Sequence, residues 1–546
     1  MLDPSFLVNL VTVLATLLTT FYLWARYKQS YWSRRGIPTA PNSHWFFGHF
    51  RDAIFMRSAP PTLLGELHKS CPSDEPILGV YIMQKPFLLL RNAELIKQLL
   101  VKDSQYFPNR YFASKRKSDV IGSQNLFSVD NPMWKYLRVK LSPAFTTGKQ
   151  KRLFELMLES SQNMRKYLEA NLPKDGTEID MEMRRVSSKY TTDVISSLAF
   201  GIKTDSFADP EAEFYLRSRK LFEQSIINTL KLFYNFFFPK LNDIVGSSFL
   251  GAEEDYFRKI FWESMNQREK SGVSRGDAMD LLLELKNEKQ SKEFRFEGDR
   301  LVAQSVILFA AGLETSATTM SFTLLEIAKQ PEIQRKVREE IRDKLNGKPL
   351  TYERISEMNY LHQVVSETLR LYPPAPLLDR VAIDDYKIPG TDIVLEKGTV
   401  VYVALNGVHR DPDYHSAPLT YDPDRFSEMR KKDMKPCTYM PFGDGPRICI
   451  GMRTGMLQTM VGLITLLSQY EVKLNPMYKN EISKRAIFLA PANGIHLYIK
   501  SSPIIVKLER IPGIDITDEK ETVIYHKGPD YNADPMTYDP DRLSKS

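Results

Sequence analysis

The sequence predicts a mainly α-helical protein with small β-sheets, an α+β fold carrying one N-terminal transmembrane helix. Three observations lead there. Phe6 to Trp24 runs nineteen residues without a charge. Leu301 to Ala328 and Met452 to Leu467 are long, apolar and helix-compatible. The β-like segments, by contrast, are short, as at Ile77 to Tyr81 and Phe87 to Leu90. With 546 residues, 42% hydrophobic and 26% charged, the chain has material for a sizeable core.

The nineteen uncharged residues rise about 1.5 Å each, enough for most of a hydrocarbon core. Asn9 and several threonines dilute the span. Asp3 precedes it, and Arg26, Lys28, Arg34 and Arg35 follow, which orients the bulk of the chain toward the cytosol. A cleaved signal is disfavoured, because no basic leader and no small-residue cleavage site are present. Arg35-Gly-Ile-Pro-Thr-Ala-Pro then reads as a stiff extended connector. The expected organisation is an anchor at 1–25, a basic, proline-rich hinge at 26–43, a catalytic domain at 44–503 and a tail at 504–546.

Gln84-Lys85-Pro86 separates the two short strands, and Ala93 to Val101 reads as an amphipathic helix. Residues 107 to 132 read as loop. In Trp134-Lys-Tyr-Leu-Arg138 a spacing of four places an indole N–H and a guanidinium fork on one helix face, a donor set suited to a carboxylate. Residues 150 to 300 are mainly helical. Their aromatic run, Leu230 to Leu241, is read first as core and second as a lipid-interface contact flanked by Lys231 and Lys240.

Within the 301–328 helix, Gly312 and Thr315 predict a local opening, since glycine weakens a helix and threonine can bond back to a carbonyl. Glu314 and Thr315 set an acid and a hydroxyl beside that opening, as a proton relay needs. Glu367 and Arg370 are spaced to pair on one helix face. Last comes Phe442-Gly-Asp-Gly-Pro-Arg-Ile-Cys-Ile-Gly451, a rigid glycine-rich loop leading into an apolar helix. A helix N-terminus and a nearby arginine favour the thiolate of Cys449, the form that binds a metal. The chain has only two other cysteines, Cys71 and Cys437, too few for a disulfide framework and consistent with a reducing compartment.

Five motifs therefore stand in order: Trp134/Arg138, Ala311 to Ser316, Glu367/Arg370, Pro423-Asp-Arg425-Phe426, and Phe442 to Gly451. Together they resemble the cytochrome P450 family of haem-thiolate monooxygenases, over residues 31 to about 502. The wording around them is most similar to the insect microsomal branch that oxidises xenobiotics. The resemblance implies the cytochrome P450 fold and haem b (iron protoporphyrin IX). Cys449 would be the metal ligand, and Phe442, in the same loop, would be a haem-binding residue. Trp134, Arg138, Arg380 and Arg447 would hold the haem propionates. Thr315 and Glu314 would be catalytic, the hydroxyl steadying activated oxygen and the acid assisting proton delivery. Glu367, Arg370 and Arg425 would brace the haem loop, and Pro374 to Leu378 would wall the substrate site.

The chain shows no dinucleotide fingerprint and no flavin domain, so electrons have to come from a partner. The resemblance implies NADPH–P450 reductase, with NADPH used only indirectly, and cytochrome b5 as a further partner. The implied substrate is a lipophilic small molecule, a xenobiotic or an endogenous lipid or hormone. The implied location is the endoplasmic reticulum membrane, held by a single-pass anchor with the catalytic domain in the cytosol. Lys149-Gln-Lys-Arg152 and Lys431-Lys-x-x-Lys435 suit either a docking face or a solvated surface. The formal charge of +7 is too small and dispersed for nucleic acid. A haem-thiolate isomerase or synthase, or a haem sensor, is the alternative, and the Glu314/Thr315 pair argues against both.

The tail departs from the family. Arg510 to Tyr525 repeats Lys387 to Tyr402 at ten of sixteen positions, and Pro529 to Ser544 repeats Pro412 to Ser427 at eleven of sixteen. The repeat carries Arg542, the echo of Arg425, but neither the Glu-x-x-Arg pair nor the cysteine. Such a fragment cannot bury a core alone and is expected to be a poorly ordered appendage. One haem site is expected.

Overall fold

The computed structural model describes residues 4–504 apart from 73, 113–115, 210 and 247. The repeated tail from 505 onward lies outside the described residues.

The helices that frame the site are α1 (Pro4–Lys28), α2 (Met133–Leu141), α3 (Thr147–Asn171), α4 (Met183–Phe200), α5 (Ile226–Phe237), α6 (Pro239–Val245), α7 (Asp299–Lys329), α8 (Asn359–Leu371) and α9 (Met452–Leu467). The strands are β1 (Ile77–Ile82), β2 (Lys85–Leu90), β3 (Ile179–Glu182), β4 (Leu377–Val381), β5 (Tyr386–Lys387), β6 (Val394–Leu395), β7 (Val400–Ala404), β8 (Tyr470–Leu474) and β9 (His496–Ser501). They form a four-stranded sheet in the order β1-β2-β7-β4, a three-stranded sheet β3-β9-β8 and the pair β5-β6. Among the described strands only β2 and β7 pair in parallel, in register Leu88↔Val401. The chain between them contains most of the helical layer.

Two helices are long and apolar enough to cross a membrane, and burial separates them. In α7 the apolar window is 72% buried in the protein; in α1 none of it is. Thus α7 is a core helix and α1 is the candidate anchor. The α1 threonines that seemed to dilute the span donate inward, Thr12 to Val8 O, Thr16 to Thr12 O and Thr19 to Ala15 O, each at 2.8 Å. Their hydroxyls are satisfied without water, as lipid requires.

The expected stiff connector after α1 is docked on the domain. Trp32 is buried. Gln29 Nε2 donates to His44 O and Trp45 O at 3.0 Å. The extended part lies along β1, with Gly79 N–H donating to Pro38 O at 2.7 Å and Ala40 N–H to Gly79 O at 2.9 Å. Both β1 and β2 are longer than predicted, because Lys85 and Pro86 pair with Ile82 and Tyr81 and leave only a two-residue turn. The 107–132 loop contains one short helix at Val120–Ser123. The aromatic run forms α5 and α6. Phe233 and Phe237 pack against Phe50, and Phe237 reaches Phe112 and Tyr402. The aliphatic residues Ile227 and Ile244 nearby are 78% and 82% exposed.

Candidate functional site

The Cys449 loop is held by its own backbone first. Asp444 accepts from Gly445 N–H at 2.7 Å, Gly443 N–H donates to Met440 O at 2.9 Å, and Cys449 N–H donates to Phe442 O at 2.9 Å. Gly445 has φ +69°, and a Cβ there would lie 2.0 Å from Leu100 O, so only glycine fits. The loop enters α9 three residues after the cysteine. Cys449 is accessible, although protein encloses it on most sides. Burial pushes its thiol up; the Gly451 amide and the charges of Arg138 and Arg110 pull the other way. The nearby cations are thus Arg138 and Arg110. The expected neighbour, Arg447, turns away and donates to Pro108 O and Val129 O, each at 2.9 Å.

Trp134 and Arg138 of α2 share one face, as their spacing predicts, and that face lies on this loop. The Arg447 guanidinium sits 4.2 Å from the centre of the Trp134 ring, and Arg138 Nη1 donates to Ile448 O at 2.9 Å. The Trp134 ring thus carries a cation on its face. From β4, Arg380 is buried and donates to Asp379 O at 2.7 Å. Arg110 joins the group, with its Nη1 3.4 Å from Asp379 Oδ1. Burial, with Arg110 and Arg380 beside it, pushes the Arg447 guanidinium far below its usual range; Asp130 and Asp379 only partly oppose this. Arg380 moves the same way, through burial and then Arg110.

Glu367 and Arg370 pair as their spacing predicts, and Arg425 lies beside them. Arg370 donates twice to Glu367, both at 2.7 Å, and both side chains are fully buried. Asp422 N–H donates to Glu367 Oε1 at 2.9 Å, and Arg425 Nε lies 3.6 Å from Oε2. The link onward to the cysteine loop is His409, which sequence reasoning missed. Arg370 donates to His409 O at 2.8 Å, and Met440 N–H, at the head of the loop, donates to His409 Nε2 at 3.0 Å. His409 Nδ1 faces Arg370 O at 3.2 Å, so the network assigns its proton there.

On the opposite wall α7 runs unbroken from Asp299 to Lys329, so the predicted opening is absent. The physical reason is packing. Gly312 admits the close approach of α4, since a Cβ there would lie 2.6 Å from Ile195 Cδ1. Thr315 does bond back, donating to Ala311 O at 2.7 Å. Ala311 is exposed within a helix that is otherwise largely buried, which marks an interior space along that face. Glu314 and Thr315 are neighbours in sequence, but their side chains part. Glu314 is buried and ion-paired with Arg184 of α4, whose Nε lies 3.1 Å away.

Residues 38–498 match the family described as "Cytochrome P450". The chain is 42% identical over 521 residues to "Cytochrome P450 6k1" of Blattella germanica, covering 91% of this chain and 98% of that protein. It is 36% identical over 508 residues to "Probable cytochrome P450 6g2" of Drosophila melanogaster, covering 89% and 98%. It is 33% identical over 500 residues to "Cytochrome P450 6B2" of Helicoverpa armigera, covering 89% and 97%. The chain belongs to the cytochrome P450 family.

As a cytochrome P450 it is a haem monooxygenase whose relatives are insect members of family 6. The residues present fit haem. Arg447 Nη1 and Arg110 Nε are buried without a hydrogen-bond partner among the described residues. A crowd of three guanidiniums with donors to spare is a donor set for the two carboxylates of a propionate pair. Among the described residues no group of three or more His, Cys, Asp and Glu is placed to hold a bare metal ion. A single accessible cysteine fits a metal carried in a macrocycle instead. Arg110 gave no signal in the sequence, because its carboxylate partner Asp379 lies 269 residues away and no local spacing marks it.

Proposed function

We propose that this cytochrome P450 is a membrane-anchored enzyme of the endoplasmic reticulum that inserts one atom of O2 into lipophilic small molecules. NADPH–P450 reductase supplies the electrons, with cytochrome b5 as a second donor. The substrates are xenobiotics or endogenous lipids or hormones. The observation that carries the reading is the accessible Cys449 on a loop beside Arg447 and Arg110, whose Nη1 and Nε are buried without a hydrogen-bond partner among the described residues. The family-6 relatives and the unburied apolar window of α1 support it.

Cys449 would ligate the iron, and Trp134, Arg138, Arg380, Arg447 and Arg110 would hold the haem propionates. Phe442 fixes the Cys449 amide through its carbonyl. Haem bound through a thiolate supplies electron density that favours O–O cleavage. The chain's own residues do the rest. Thr315 presents a hydroxyl on the open side of α7, and Glu314 is the acid that supplies protons to that side. Glu367, Arg370 and Arg425 hold the loop from behind. Leu377 and Leu378 contribute apolar wall. Ile227 and Ile244 face outward and suit contact with the lipid interface beside α1.

The test is NADPH consumption by the full-length protein with reductase in vesicles, screened against a panel of lipophilic compounds. Consumption that rises with some apolar compounds and yields a product one oxygen heavier is expected. Turnover that needs no reductase would contradict the reading.

A further inference from the structure

Among the described residues burial pulls the amines of Lys85, Lys189 and Lys231 down, and their surroundings differ. At Lys189 of α4 the carboxylates of Asp193, Asp205 and Asp209 oppose the shift, and at Lys231 of α5 those of Asp119 and Glu254 do. Lys85, the first residue of β2, has no such carboxylate. The charge that acts on it is a second cation, Lys240 in the first turn of α6. Burial first and Lys240 second bring the Lys85 amine down to about 8. Neither of these two lysines is in an ion pair among the described residues.

The contacts of Lys85 are few for a half-buried amine. Its Nζ donates to Tyr111 Oη at 2.9 Å and lies 4.1 and 5.4 Å from the centres of the Tyr111 and Phe87 rings. An ammonium has three N–H groups to satisfy. Tyr111 is itself fixed, its hydroxyl donating to Phe237 O at 3.1 Å and its backbone N–H to Asp379. Phe87 is buried and stacks on Tyr402 at 5.1 Å between ring centres. Such a setting favours the neutral amine, which is a nucleophile, over the ammonium, which is not. The amine also lies on the side of the fold where α1 leaves it. Gln84, its neighbour in the turn, donates to Phe46 O at 2.8 Å, and the Phe46 ring is 5.8 Å from that of Phe21 in α1. Leu241 and Ile244, on the same helix as Lys240, are exposed. Apolar side chains thus flank the approach to the amine from α1 and from α6.

We propose that Lys85 is a covalent capture site for long-chain aliphatic aldehydes dissolved in the membrane, which it binds as a Schiff base. The nitrogen lone pair of the neutral amine adds to the carbonyl carbon, and the carbonyl oxygen takes one proton from the nitrogen. The C=N bond then forms as the C–O bond breaks, and the oxygen leaves as water with the second nitrogen proton. Nothing is oxidised or reduced. The imine removes the ammonium that burial disfavours at this position. The capture is separate from the cysteine loop and uses neither NADPH nor reductase.

The test uses the full-length haem-loaded protein in phosphatidylcholine vesicles containing dodecanal. Each timed incubation is ended with borohydride, which reduces the imine to a stable amine, and peptide mass spectrometry locates the label. At about pH 7.5 Lys85 is expected to carry at least about tenfold more label than any exposed lysine, because an amine near 8 is neutral about a hundred times more often than an ordinary one. Its labelling is expected to rise with pH to a midpoint of about 8 and then level off. In K240Q, which removes the neighbouring charge from an exposed position, the midpoint is expected to move upward. With water-soluble acetaldehyde the preference for Lys85 is expected to be several-fold weaker. Label spread evenly over the exposed lysines, or a midpoint of about 10 as for an ordinary lysine, would overturn the proposal. An unmoved midpoint in K240Q would overturn the part given to Lys240, and an equal preference with acetaldehyde would overturn the choice of a long-chain aldehyde.

Discussion

At the scale of single residues, Glu367 is the most constrained. It is fully buried and answers two buried guanidiniums, one by a bidentate pair. Removing one partner of such a group leaves an uncompensated buried charge, typically about 3–5 kcal/mol. Glu367→Gln is therefore expected to unfold at a much lower temperature and to lose haem on purification, read by thermal melting and by the haem-to-protein absorbance ratio. Gly445→Ala is expected to fail in the same way for a different reason. Its methyl would meet the Leu100 carbonyl, and its φ of +69° disfavours a side chain by about 1–2 kcal/mol. Thr315→Ala should behave differently. It removes one intrahelical hydrogen bond on the open face, so melting should shift little while more of the consumed NADPH appears as peroxide. Unchanged coupling in that variant would contradict the role given to Thr315.

At the scale of elements, the segment from His409 to the cysteine loop is the connection between brace and site. Burial first, then the charges of His415 and Arg370, holds His409 down to about 3. His415, whose ring faces Thr438 O at 3.0 Å, is held down to about 4, again by burial first. Both rings are neutral in the fold and titrate near 6.5 when unfolded. Between pH 6.5 and about 4 the unfolded chain therefore binds protons the folded chain does not, and stability falls as pH falls. Each histidine contributes roughly 1.4 kcal/mol per pH unit in that window. Melting temperature is expected to drop steeply from pH 7 to 5, and His409→Asn is expected to flatten that slope. An equal slope in the variant would exclude His409 as its source. The same element shows what the sequence could convey. Glu367/Arg370 and Trp134/Arg138 were legible because helix geometry turns a spacing of three or four into a shared face. His409, Arg110 and Arg184 were not, because each finds its partner through chain distant in sequence. Gly312 was misread for a related reason: whether a glycine opens a helix or admits a neighbour depends on Ile195, which only the fold brings there.

At the scale of the whole molecule, α1 is seated on the rest of the chain. Its end is fixed by Gln29 and the buried Trp32, and Phe21 and Tyr22 meet Trp45 at 6.1 and 5.5 Å between ring centres. Removing residues 2–24 is expected to release a folded protein from vesicles with its haem spectrum unchanged. Extending the deletion through residue 36 takes out Trp32, a buried side chain whose truncation alone costs about 3–5 kcal/mol, and should lower the melting temperature and haem content together. Equal stability of the two truncations would contradict the docked connector. The claim on which all of this depends is that Cys449 is the residue that would ligate the iron of a haem held by this fold. The most direct measurement is the absorbance spectrum of the reduced, carbon-monoxide-bound full-length protein beside its Cys449→Ala variant. A thiolate-type Soret band in the first and none in the second is the predicted result; a haem protein without that band, or a variant that retains it, would contradict the account.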